Sequence, residues 1–103
     1  IDGFCHIGYV PGNKVLGLSK LNRIVDFFAK RPQIQERLTE QIYYALQYIL
    51  QTDDIGVIVE GVHYCVKSRG IRDTTSSTIT SKMGGSFRVG GLRKEFLALA
   101  TKK

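Results

Sequence analysis

Between Phe4 and Val10 the chain alternates. Cys5, Ile7 and Tyr9 fall on one side and Phe4, His6 and Gly8 on the other, the period of two that a strand requires. Pro11-Gly12-Asn13 marks a turn. The period then changes. Leu21, Ile24, Val25 and Phe28 recur at helical spacing behind Ser19, a good N-cap, and predict an amphipathic helix. Pro32 is placed like a proline at a first helical position. After it, Ile34, Leu38, Ile42, Ala45, Leu46, Ile49 and Leu50 form a long apolar stripe, a second helix that ends before Thr52-Asp53-Asp54. Ile55 to Val66 reads as a strand. Thr74 to Met83 is either a Ser/Thr-rich linker or, from its β-branched residues, a strand paired to the one before. Gly84-Gly85 and Gly90-Gly91 punctuate the end, and Leu92 to Ala100 predicts a short helix with Leu92, Phe96 and Leu99 on one side.

The order is therefore strand, helix, helix, strand, strand, helix, in one domain spanning residues 1–103. Asp2-Gly3 adds a hint. Asp-Gly favours a type I′ hairpin turn, and only Ile1 precedes it, so it reads either as the turn of a hairpin whose first strand is missing or as a frayed start. With a strand in front, the core would be β-β-α-α-β-β: an α+β domain, an antiparallel sheet with two long helices on one face.

Composition narrows the class. The chain is 43% hydrophobic and 23% charged, which is globular rather than disordered. No apolar run approaches the roughly 20 residues of a membrane helix, so a membrane protein is not expected. Two cysteines cannot build a disulfide scaffold and read as thiols of a reducing, cytoplasmic compartment or as metal ligands. The net charge of +6 attracts polyanions. Nucleic acid is the poorer choice among them: the aromatic residues do not interleave with the basic ones, and no nucleic-acid motif is visible.

Four stretches carry candidate chemistry. His63 and Cys65 are two apart and so share a strand face; they are either a proton carrier beside a zinc ligand or a core cysteine beside a hydrogen-bonded histidine. Ser19, Lys20 and Arg23 gather at a helix start, where free N–H groups and the dipole favour an anion; a capped, solvated helix end is the other reading. Gln35 and Glu36 fall in the first turns of the second helix. A carboxylate there is either structural or able to take two parallel hydrogen bonds from an edge such as guanine N1–H and its 2-amino group. Arg69 and Lys67 follow the His63–Cys65 strand, and arginine grips phosphate bidentately; a charged loop is the other reading.

In this order the pieces resemble the GTP cyclohydrolase I family. "VLGLSKLNRIVDFFAKRPQIQERLTEQI" is similar to that family's signature through its two helices, "VEGVHYCVKSRGIRDTTSSTITSKMGGSFR" to its second signature, and "LRKEFLALA" to its closing helix. The resemblance implies the T-fold, GTP as substrate, and zinc-assisted attack of water on guanine C8 to yield dihydroneopterin triphosphate and formate, the first step towards folate or biopterin. It implies homodecamers with active sites between subunits. It matches Cys65 to a zinc ligand, His63 to a proton-transfer histidine, Glu36 and Gln35 to the guanine pocket, and Ser19, Lys20, Arg23 and Arg69 to residues around ribose and triphosphate. The family's Cys-Glu-His-His motif, which carries two further zinc ligands, is absent from these residues, so the chain reads as an N-terminally truncated catalytic domain. The alternative is a non-catalytic T-fold subunit that binds purine nucleotide or assembles with a competent partner.

Overall fold

The computed structural model describes the backbone of residues 2–66 and 73–102 and, within these, all side chains but those of 2, 62–66 and 73–76. Strand β1 spans Asp2–Tyr9, helix α1 Leu18–Ala29, helix α2 Gln35–Leu50, strand β2 Ile55–Val66, strand β3 Asp73–Met83 and helix α3 Gly91–Ala100, with a single 3-10 turn at Gly85–Phe87. The sheet order is β1-β2-β3 and both pairings are antiparallel. The expected α+β class and element order stand. The Ser/Thr-rich stretch is a strand and not a linker: it pairs along β2 from Gly56↔Met83 to Val66↔Asp73.

The stripe on α2 explains the packing. Leu38, Ile42, Tyr43, Leu46 and Leu50 are buried, and they meet Ile55, Val57 and Val59 of β2, with Ile24 of α1 closing the cluster. Cys5, Ile7 and Tyr9 of β1 pack against the same cluster, so the alternation read along β1 is the one observed. Both long helices thus cover one face of the sheet.

The other face is covered by α3 and the 3-10 turn through Ile58, Phe87 and Phe96. Phe87 and Phe96 meet edge to face, with centroids 5.4 Å apart at 85°, the arrangement favoured by the ring quadrupoles. They fit because Gly8 and Gly56 are register partners and leave a hollow in the sheet. A Cβ on Gly56 would stand 2.7 Å from the Phe96 ring, and one on Gly8 3.0 Å from it.

Three local expectations are corrected. Asp2 and Gly3 do not form a turn: they begin β1, opposite Val62 and Gly61, because β2 is long enough to pair them. Ser19 is not the cap of α1. Gly17 is, with extended backbone and no side-chain hydrogen bond; its carbonyl accepts the N–H of both Lys20 and Leu21. Pro32 does not open α2 either. The helix begins at Gln35 behind Ile34, whose carbonyl accepts the Leu38 N–H, and Gln33 Nε2 ties the connection back to the Phe28 carbonyl at 2.6 Å.

Gly56→Ala is expected to lower stability by about 1–3 kcal/mol through overpacking against Phe96. Gly12→Ala, which meets nothing within 4 Å, is the neutral control. Urea unfolding midpoints check this; equal midpoints would mean that the glycine hollow does not seat the aromatic pair.

Candidate active site

Helix α2 starts where it does because its stripe sets its height on the sheet, and this places Gln35 over the middle of β2 and β3, with Glu36 next to it on the exposed side of the helix. The Gln35 amide reaches into the sheet. Its Nε2 donates to the Val59 carbonyl at 2.9 Å and the Thr78 carbonyl at 2.6 Å, and lies 3.3 Å from Thr80 Oγ1. The amide cannot be turned round, since that would set its oxygen against two carbonyl oxygens. Gln35 Oε1 is buried with no partner among the described residues, a state that costs about 1–3 kcal/mol. Thr39, only 1% exposed, donates to the Gln35 carbonyl at 2.9 Å and shares a 2.6 Å hydrogen bond with Thr80. Thr39 and Thr80 were missed from the sequence, where a threonine among apolar helix residues carries no sign of a partner 41 residues away. Glu36, the next residue, is exposed in the acidic first turn of α2. Gln35 therefore holds the scaffold, and Glu36 presents beside it an exposed carboxylate with no hydrogen-bond partner among the described residues.

Ser19, Lys20 and Arg23 are exposed along the first turns of α1. Ser19 and Lys20 lie between Leu18 and Leu21, which line a groove of about 560 Å³ with Cys5 to Gly8 of β1 and Phe96 and Leu99 of α3. This end of α1 is tied to the end of β1: Tyr9 Oη accepts the Leu16 N–H at 3.0 Å, and Tyr9 pairs with Ile55 at the start of β2.

His63 and Cys65 occupy β2 by backbone, opposite Ser76 and Thr74, at positions of the same parity as Val57 and Val59; their side chains lie outside the described residues. Arg69 lies wholly outside them, as does Lys67. Cys65 is six residues beyond Val59, the β2 residue that Gln35 grips, roughly 20 Å along a strand. Ile55, at the α1 end, is a further four residues back. Glu36 and the Ser19–Arg23 end of α1 are thus separated from Cys65 along one sheet. The structure brings Gln35 to Glu36 and groups Ser19, Lys20 and Arg23, and it keeps both sets away from β2 position 65.

The donor set for a metal is thin. Among the described residues no three His, Cys, Asp or Glu side chains cluster as metal ligands do. Cys5 sits in the helix-side cluster, where burial pushes its thiol up to about 11 from an ordinary 9.0. His6 lines a cavity on the opposite face with Ile58, Glu60 and Ile79. The described residues do not make a zinc cage by themselves.

An antiparallel α+β domain with a carboxylate at one helix start and cations at another is the class of protein that emerges. The comparisons narrow it. A profile of the family described as GTP cyclohydrolase I matches residues 1–101. GTP cyclohydrolase 1 of Aeromonas hydrophila is 54% identical over 99 residues, 95% of this chain and 45% of that protein. GTP cyclohydrolase 1 of Shewanella putrefaciens is 57% identical over 98 residues, 94% of this chain and 46% of that protein. That of Shewanella amazonensis is 56% identical over 98 residues, covering 94% and 45%. The chain belongs to the GTP cyclohydrolase I family, and it spans somewhat less than half the length of these relatives. No helix among the described residues is long and apolar enough to cross a membrane.

The Cys5 thiol favours its neutral form in the folded state, so its contribution is present below pH 9 and is lost as pH rises towards 11. Melting temperature measured from pH 8 to 10.5 should therefore fall more steeply for the native protein than for Cys5→Ala. Parallel curves would remove the buried-thiol assignment.

Proposed function

We propose that this chain is the part of a GTP cyclohydrolase I that supplies the guanine anchor and one metal ligand for converting GTP and water to dihydroneopterin triphosphate and formate, the entry step to a pterin pathway. The observation that carries this reading is the family match over residues 1–101 together with 54–57% identity to proteins named GTP cyclohydrolase 1. That identity favours an enzyme over a non-catalytic nucleotide-binding subunit.

The chain's residues then divide the work. Glu36 accepts two hydrogen bonds from guanine N1–H and the 2-amino group, in the geometry by which a carboxylate takes a bidentate donor. Ser19, Lys20 and Arg23, with Arg69, attract the triphosphate at the positive end of α1. His63 carries a proton to or from the opening ring. Cys65 is one zinc ligand; the rest come from another stretch of the full-length protein, since zinc takes three or four. When bound, zinc supplies Lewis acidity for attack by water near neutral pH.

The spacing along β2 supports a site shared between copies. Roughly 20 Å of strand between the Gln35 clamp and Cys65 is more than a guanine ring and one zinc–sulfur bond of about 2.3 Å can bridge. Glu36 of one copy therefore works with Cys65 of another. Exposed apolar residues on β1, β3 and α3 (Phe4 65%, Ile79 58% and Leu99 65% exposed) are surfaces for such copies to cover. The assembly in this reading is a homodecamer of two pentameric rings in the cytoplasm, without nucleic acid or membrane.

In the full-length protein Glu36→Ala should lower kcat/KM for GTP about 10²–10⁴-fold, the loss of two hydrogen bonds to a charged acceptor, read as formation of the pterin chromophore. Unchanged turnover would end the guanine-anchor reading. Cys65→Ser should reduce zinc per subunit, measured by elemental analysis after gel filtration. Zinc retained at native stoichiometry would remove Cys65 from the ligand set.

A further inference from the structure

The hydroxyls of Thr39 and Thr80 and the amide of Gln35 close a ring. Each hydroxyl has one proton to give. Thr39 gives its proton to the Gln35 carbonyl at 2.9 Å, so in the 2.6 Å contact between the threonines Thr80 is the donor. Thr80 in turn faces Gln35 Nε2 at 3.3 Å. The two N–H groups of Gln35 Nε2 serve the Val59 and Thr78 carbonyls, so its 3.3 Å leg to Thr80 is a weaker, shared one; from there the circuit runs from Thr80 to Thr39 and from Thr39 back to the carbonyl of Gln35. That carbonyl belongs to the peptide unit joining Gln35 to Glu36. Both ends of Gln35 are therefore held, its side chain by β2 and β3 and its carbonyl by the threonine pair, and the backbone from which Glu36 projects has little freedom to tilt. Buried and almost wholly satisfied networks of this kind specify one arrangement, because any other leaves a polar group unpaired away from water.

We infer that Thr80, acting through Thr39, is a positioning residue for purine selection: it fixes the height and tilt of Glu36 over the sheet and so sets how well the carboxylate discriminates a 2-amino purine from one without that group. This rests on the reading of Glu36 as the guanine anchor. A site built to hydrogen-bond a polar group rejects the analogue that lacks it only while the partner stands in place. The threonine ring thus bears on selectivity more than on affinity for the ribose and phosphates that both nucleotides share.

The test is equilibrium binding of GTP and of inosine triphosphate, which lacks the 2-amino group, to the full-length protein stripped of zinc so that GTP is not turned over, and to Thr80→Val, Thr80→Ser and Glu36→Gln prepared in the same way. Valine keeps the shape of threonine and removes the hydroxyl; serine keeps the hydroxyl. Thr80→Val should reduce the preference for GTP over inosine triphosphate about tenfold, with inosine triphosphate affinity within about twofold, and Thr80→Ser should retain the preference. If Thr80→Val does not fold, Thr39→Val opens the same ring from its other hydroxyl and is read in the same way. Equal loss of affinity for both nucleotides would mark a general packing role and overturn the proposal, as would an unchanged preference in the valine variant. Glu36→Gln separates the two readings. If it abolishes the preference while Thr80→Val leaves it intact, only the positioning role falls. If it leaves the preference intact, the guanine anchor falls and the positioning role with it.

Discussion

The burial of α2 against β2 is the contact on which the rest depends. Ile42 and Leu46 from the helix and Ile55 and Val57 from the strand are wholly withdrawn from water, each worth about 1.5–3 kcal/mol relative to exposure. The contact also fixes a height. Helix α2 cannot slide along β2 without driving these side chains into one another, since packed interiors have no slack of that size. Everything at the ends of α2 inherits that height. At its start Gln35 reaches the Val59 and Thr78 carbonyls, and further along Tyr43 donates to the Asp53 carbonyl at 3.0 Å.

The second layer depends on an absence of side chain. Two opposed glycines in adjacent strands would be a weak point in most sheets. Here Gly8 and Gly56 make room for Phe87 and Phe96, and the hollow converts a two-layer domain into one with helices on both faces. Past that hollow the α3 face of the sheet is covered only in part: Phe4 and Ile79 remain well exposed. Apolar groups left in water on an otherwise well-packed sheet are suited to contact with other copies.

Among the described residues, the candidate site residues are spread along the sheet rather than gathered in one pocket. Glu36 follows a residue held by a hydrogen-bond network, the cations of α1 stand on an exposed helix end, and the backbone of His63 and Cys65 belongs to β2 beyond Val59. Such a distribution is what the proposed shared site calls for, with Glu36 and Cys65 supplied by different copies.

The periods of two and of 3.6 were legible at once, and they determined the elements, their order and the α+β class, because alternation and the helical stripe follow from local geometry alone. Motif content was legible as well: the stretches around Ser19–Arg23, Gln35–Glu36 and His63–Cys65 carried the family. Local capping was not. Ser19 and Pro32 have the right chemistry for helix starts, yet Gly17 and Ile34 hold those places, since the start of each helix is set by where its apolar face must land on the sheet. Nor could the sequence separate Gln35 from Glu36, two polar neighbours in one turn. Only the tertiary structure decided that one is spent on the carbonyls of β2 and β3 and the other left free, because those carbonyls are brought beneath Gln35 by strands 24 and 43 residues away in the chain.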